Sequence, residues 1–168
     1  MILHTHITLD PAYGGPARTV PALCEAVASL REVVLISTVP DDKKQETGNR
    51  RQQESGQVAG GRWQSISFDL IRVDDGSYGS FSKTIEQEIE NTEIIHDHGA
   101  WLPNNLASFK MAKKYKKPFI LTTRGMFEPW ALNHKKWKKK LAWWLYQKRI
   151  LMNADLLHVT SEREAPNL

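Results

Sequence analysis

The chain has 168 residues, with 23 Lys and Arg against 19 Asp and Glu for a net charge of +4, a length that suits one domain or half of a two-domain protein. At 40% hydrophobic and 25% charged residues, with 10 Gly and 8 Pro, the composition argues against disorder and fibrous repeats. The single cysteine, Cys24, excludes an intrachain disulfide scaffold and points to a reducing compartment, by default the cytoplasm.

Residues 1–7 read as a first strand. Their start, Met1-Ile2-Leu3-His4, has neither the basic flank nor the small-residue cleavage site of a secretory signal, and no apolar run approaches the roughly 18 to 20 residues of a membrane span. The turn-rich Asp10 to Gly15 follows, then a helix over 16–30 that Pro16 can open without losing a hydrogen bond. Leu23, Ala26, Val27 and Leu30 recur at helical spacing, and the apolar run Val33–Val39 predicts a strand covered on both faces. The polar segment 40–62 reads as a mobile excursion. Strands are expected over 65–73, 93–97, 118–123 and 154–160, and helices over 82–91, 102–115 and 135–152. This alternation predicts an α/β fold, a Rossmann-like open and mostly parallel sheet with helices on both faces, in one domain spanning 1–168.

In such a sheet functional groups gather beyond the C-terminal strand ends. The loop after the first strand holds Gly14 and Gly15 ahead of a helix, where backbone N–H groups can approach an anion; a plain turn is the competing reading. Strand alternation puts His96 and His98 on one face, with His98 followed by Gly99, so a cleft role competes with a structural one. His4 and His6 form a second pair, but no further ligand set stands at matching spacing, so no metal is expected. After the fifth strand, Arg124, Glu128 and Trp130 offer a guanidinium, a carboxylate and an indole for a phosphate or sugar; a structural Arg–Glu pair over a buried Trp130 is the alternative. Lys135, Lys136, Trp137, Lys138, Lys139 and Lys140 open a helix whose composition suits an anionic membrane surface. Its Trp137, Leu141, Trp144 and Leu145 can equally be a core-facing stripe with solvated lysines, while no module for nucleic acid is present.

Taken together, the Gly14-Gly15 loop, His96-Asp97-His98-Gly99-Ala100-Trp101, Thr123-Arg124-Gly125-Met126 with Glu128-Pro129-Trp130, and the ending Ala154-Asp155 to Ser161-Glu162-Arg163-Glu164 resemble the group 1 (family 4) retaining glycosyltransferases of the two-domain GT-B fold. The resemblance covers essentially the whole chain and implies the acceptor-side N-terminal domain, without the C-terminal domain that holds the nucleotide-sugar donor. It implies His98 near the transferred sugar as the catalytic residue, Gly14 and Gly15 near the donor diphosphate, and Trp101, Arg124, Glu128 and Trp130 around the acceptor sugar. It further implies transfer with retention and without metal or other cofactor, to a glycan or lipid-linked cell-envelope acceptor at the inner membrane face, and little activity from this chain alone. A free-standing glycan- or nucleotide-binding module or partner subunit is the alternative, with a metal-dependent hydrolase behind it.

Overall fold

A computed structural model describes residues 1–38 and 67–168, together with the backbone of three two-residue strands between them. A seven-stranded sheet forms the centre. Its strands are β1 (Ile2–Thr8), β2 (Val33–Thr38), β3 (Arg51–Gln52), β6 (Asp69–Val73), β7 (Ile94–His98), β8 (Phe119–Thr122) and β9 (Leu156–His158), in the order β3-β6-β2-β1-β7-β8-β9. Every neighbouring pair from β6 to β9 is parallel, and β3 alone runs antiparallel at its edge. The strands β4 (Gln57–Val58) and β5 (Gly61–Arg62) pair separately. Apart from these fragments, the expected excursion over 40–62 lies outside the described residues.

Helix α1 (Pro16–Ala28) covers one face of the sheet, where Val20 and Cys24 meet Val33, Leu35 and Leu70. Helices α2 (Tyr78–Glu88) and α3 (Pro103–Lys114) cover the other, over a core that includes Phe81, Ile85, Ile95, Phe109, Phe119 and Leu121. Each such fully buried large side chain contributes about 2 kcal/mol through burial. The expected helix over 82–91 starts earlier because the Ser77 hydroxyl accepts the Ser80 N–H at 3.2 Å and caps the chain there.

The helix expected over 135–152 is divided. Helix α4 (Pro129–Asn133) ends before Lys135, whose left-handed φ of 51° starts α5 (Lys136–Ala142). A π-helical turn, Trp143–Gln147, then leads into α6 (Lys148–Met152). The wider turn shifts the register: Gln147, Ile150 and Leu151 are buried while Trp144 and Leu145 face outward.

Candidate active site

Parallel pairing aligns His4 with His96 and His6 with His98, then His98 with Thr122 and Thr122 with His158. Side chains level in register share a face, so these polar groups form two rows beside α1 at the C-terminal strand ends. The intervening Asp97 points to the opposite face. There its carboxylate, fully buried, accepts from Thr5 Oγ1 (2.5 Å), Asn104 Nδ2 (2.9 Å) and Asn105 Nδ2 (2.5 Å), tying β1 and the start of α3 to β7. Burial pushes the Asp97 carboxyl up to about 6, against the pull of those hydrogen bonds.

The direction of the hydrogen bonds around His98 follows from Arg124, whose guanidinium can only donate. Arg124 Nη2 lies 3.3 Å from His98 Nδ1, which therefore accepts and leaves the imidazole proton on Nε2. That nitrogen lies 3.0 Å from His4 Nδ1, so His4 in turn carries its proton on Nε2, a buried atom with no protein partner. His6 donates from Nδ1 to the His98 carbonyl at 3.3 Å, which leaves its own buried Nε2 as an unfilled acceptor. His96 Nε2 and His158 Nδ1 share the Thr122 hydroxyl at 2.7 and 2.9 Å.

The imidazoles of His4, His6, His96 and His98 are held neutral. Burial, joined by the charge of Arg124, lowers His4 to about 4, and burial lowers His6 to about 4 with Arg124 adding to it. Burial and the neighbouring His4, His158 and Arg124 bring His96 to about 3; His98 falls well below its usual range, through burial first and then His96, His4, Arg124 and His6.

Arg124 crosses the cleft. Its Nη1 donates to Thr19 Oγ1 at 2.9 Å in the first turn of α1, and Thr19 Oγ1 donates to the Gly15 carbonyl at 3.2 Å. The first turn of α1, the C-terminal end of β7 and the loop after β8 therefore meet at one guanidinium. Around Gly14 and Gly15 a Cβ would find nothing within 4 Å, so space lies open above the start of α1. Gly14, with φ of 84°, needs its missing side chain for that backbone.

His98 has no exposed surface, and Arg124 forms part of its cover. Arg124 bonds to Thr19 and His98, and Trp130 is 74% exposed, so the structural Arg–Glu pair over a buried Trp130 is not what forms. Glu128 is half-buried at the start of α4. Trp101 is held in the wall: its indole N–H donates to the Met126 carbonyl at 3.2 Å and its ring packs on Phe127. Tyr146 Oη donates to the Trp101 carbonyl and Gln147 Oε1 accepts its N–H, both at 2.9 Å, so the π-turn grips Trp101 at two backbone atoms.

His4, His96 and His98 bring ligand nitrogens within 4.8 Å of one another, the donor set of a histidine zinc site. The set fits a cation poorly. His4 Nδ1 and His98 Nε2 are bonded to each other, His96 Nε2 is bonded to Thr122, and a guanidinium stands 3.3 Å from His98.

The Lys/Trp segment is not a core-facing stripe. Trp137, Trp144 and Leu145 are 69%, 72% and 70% exposed, and Lys135, Lys136, Lys138 and Lys140 are exposed around them. Lys139 instead turns inward, donating to the Ala131 carbonyl at 2.5 Å and lying over the Trp101 ring. No helix among the described residues is long and apolar enough to cross a membrane.

Comparison with known proteins decides the family. The family model for the glycosyl transferase 4-like domain matches residues 14–168. The chain belongs to that family. Among solved structures, a sucrose-phosphate synthase from Thermosynechococcus elongatus superposes with a TM-score of 0.68 at 18% identity, over 98% of this chain and 43% of its own. A Listeria monocytogenes protein assigned as a UDP-N-acetylglucosamine 2-epimerase gives 0.59 at 14% identity, over 99% of this chain and 40% of its own. The chain thus spans less than half the length of either, and its fold is that of the N-terminal domain of a GT-B protein. No curated protein matches it significantly.

Proposed function

We propose that this glycosyltransferase domain is the acceptor-side half of a retaining enzyme that moves a sugar from a nucleotide sugar to a glycan or lipid-linked cell-envelope acceptor, in the cytoplasm at the inner membrane face. The observation that carries this reading is the meeting of three elements at the C-terminal strand ends through Arg124: Thr19 beside Gly15 in the first turn of α1, His98 at the end of β7, and the guanidinium itself. Transfer requires neutralising a departing diphosphate and stabilising oxocarbenium-like charge. A fixed guanidinium next to open space over a helix N-terminus supplies positive potential for the first task without a metal or other cofactor. Neutral His98, accepting from Arg124, keeps that cation oriented and adds no competing charge. Glu128 and the exposed Trp130 offer an acceptor sugar a carboxylate and a flat apolar face, beside the wall that Trp101 builds.

Donor binding falls to a second domain, and this chain alone transfers little. The exposed Trp137, Trp144 and Leu145 amid lysines supply the apolar and cationic halves of an interface with anionic lipid. The test is transfer of labelled sugar from UDP-glucose, UDP-N-acetylglucosamine and GDP-mannose by this domain joined to its donor-binding partner. His98→Ala is expected to lower turnover at least about 10²-fold. Near-normal turnover would remove His98 from the mechanism, and ligand binding without transfer in the joined protein would instead identify a binding module.

A further inference from the structure

Arg124 holds its central place from an unfavourable backbone. Its φ is 55° and that of Gly125 is 73°, two consecutive left-handed residues of which only the second lacks a Cβ. Such a turn persists where its surroundings over-determine it.

The determinant comes from beyond β9. Glu164 is buried, and its Oε1 accepts both the Thr123 hydroxyl and the Gly125 N–H, the latter at 2.5 Å. One carboxylate oxygen thus clamps the residues on either side of Arg124. The other oxygen, Oε2, accepts the Thr160 N–H at 2.9 Å and the Thr160 hydroxyl at 3.1 Å, anchoring the clamp to the loop after β9. All four partners donate, so the site demands an acceptor-only group, and its oxygens are already engaged by the protein. Burial alone would raise the Glu164 carboxyl, but these hydrogen bonds outweigh it and hold the group below its usual range.

We infer that Glu164 is a positioning residue for transfer: by clamping Thr123 and Gly125 it aims the Arg124 guanidinium at His98 and Thr19. The inference rests on the glycosyltransferase reading for its link to catalysis, while the clamp itself can be tested without any substrate. Replacement by Gln turns an NH2 donor toward either the Thr123–Gly125 pair or the Thr160 pair, so neither amide orientation restores all four bonds.

The experiment compares wild type with Glu164→Gln on the full chain, using 15N spectra that resolve the Arg124 Nε–H and the His98 ring nitrogens. Displacement of the Arg124 signal with a concerted change at His98 Nδ1 is expected. Unchanged signals in the folded variant would overturn the inference. If Glu164→Gln fails to fold, Thr123→Val removes one clamped donor at nearly constant volume, and the same shift is expected. In the joined two-domain protein, Glu164→Gln should lower kcat at least about tenfold with less than about a threefold change in acceptor KM. It should also slow Arg124→Ala no further, as two residues acting through one contact are non-additive. Additive losses, or undiminished kcat with a displaced Arg124, would overturn the positioning role. Both outcomes differ from absence of transfer in the wild-type protein, which would overturn the glycosyltransferase reading itself.

Discussion

Lowering the pH from 7.5 to 5 should remove several kcal/mol of stability, because the centre of this sheet holds histidines that cannot charge in place. In the unfolded chain an imidazole titrates near 6.5; in the fold His4 and His6 are held at about 4 and His96 at about 3. Between those values the unfolded state binds protons that the native state refuses. The stabilising difference is therefore present above pH 6.5 and lost as pH falls toward 4. For each of the three the loss at pH 5 is about 2 kcal/mol, or about 6 kcal/mol together. Asp97 acts in the opposite sense: its carboxyl is raised from 3.8 to about 6, so the native state takes up a proton first and regains about 1 kcal/mol at pH 5. His98, also lowered, adds to the loss.

The net fall of about 5 kcal/mol is comparable to the whole stability of many domains, typically about 5 to 15 kcal/mol. Urea unfolding followed by tryptophan fluorescence at pH 7.5, 6.5, 5.5 and 5 measures it directly. The urea midpoint should drop steeply between pH 6.5 and 5 at nearly constant m-value, and His6→Gln should reduce that dependence by about 2 kcal/mol. A midpoint that stays level or rises over this range would refute the reasoning, since it would mean that the buried imidazoles accept protons without unfolding.

Other perturbations address separate contacts. Arg124→Lys keeps the charge but cannot span Thr19 and His98 as a fork does, so transfer by the joined protein should fall at least about tenfold, as read from kcat/KM. Gln147→Leu removes the acceptor of the Trp101 N–H and should cost about 1 to 3 kcal/mol in urea unfolding. Replacing Lys135, Lys136, Lys138 and Lys140 with Gln should weaken sedimentation with phosphatidylserine vesicles, at about 1 kcal/mol per lysine near the surface; retained binding would remove the lipid role.

The sheet was readable because its strands are short apolar runs flanked by turn residues, such as Val33 to Thr38, and the bounds shifted by only a few positions. The pairing of His96 with His98 on one face was readable from strand alternation. That His4 and His6 join them was not, because it depends on β1 lying directly beside β7, an order set by the three-dimensional crossover. The division of 135–152 was also hidden: the run lacks Gly and Pro, and the π-turn coincides with the long-range bonds of Gln147 and Tyr146 to the Trp101 backbone. Thr19 and Thr122 carried no local signal, since their partners lie far away in sequence, and Glu164, though part of the ending that carries the family resemblance, gave no sign that it reaches Thr123 and Gly125. The Asn104 and Asn105 pair offered one: two amides at the start of a helix need an acceptor when buried, which Asp97 provides.

The electrostatics of the cleft favour an anion as its ligand. If the histidines at the strand ends were charged, the site would resemble a cation cluster that any neighbouring carboxylate could quench. Burial instead keeps His4, His6, His96 and His98 neutral, so Arg124 is the cation where α1, β7 and the loop after β8 meet. The carboxylate that positions it makes no direct ion pair with it: Glu164 directs its oxygens to Thr123, Gly125 and Thr160, and acts on the guanidinium only as a nearby negative charge. A guanidinium held by neutral acceptors keeps its positive potential for an incoming group, and a metal ion beside it would be repelled. Neutral imidazoles, a carboxylate clamp and open space over α1 thus serve one physical end, a preorganised positive charge at the meeting of these elements, which the proposed transfer reaction would use against a departing diphosphate.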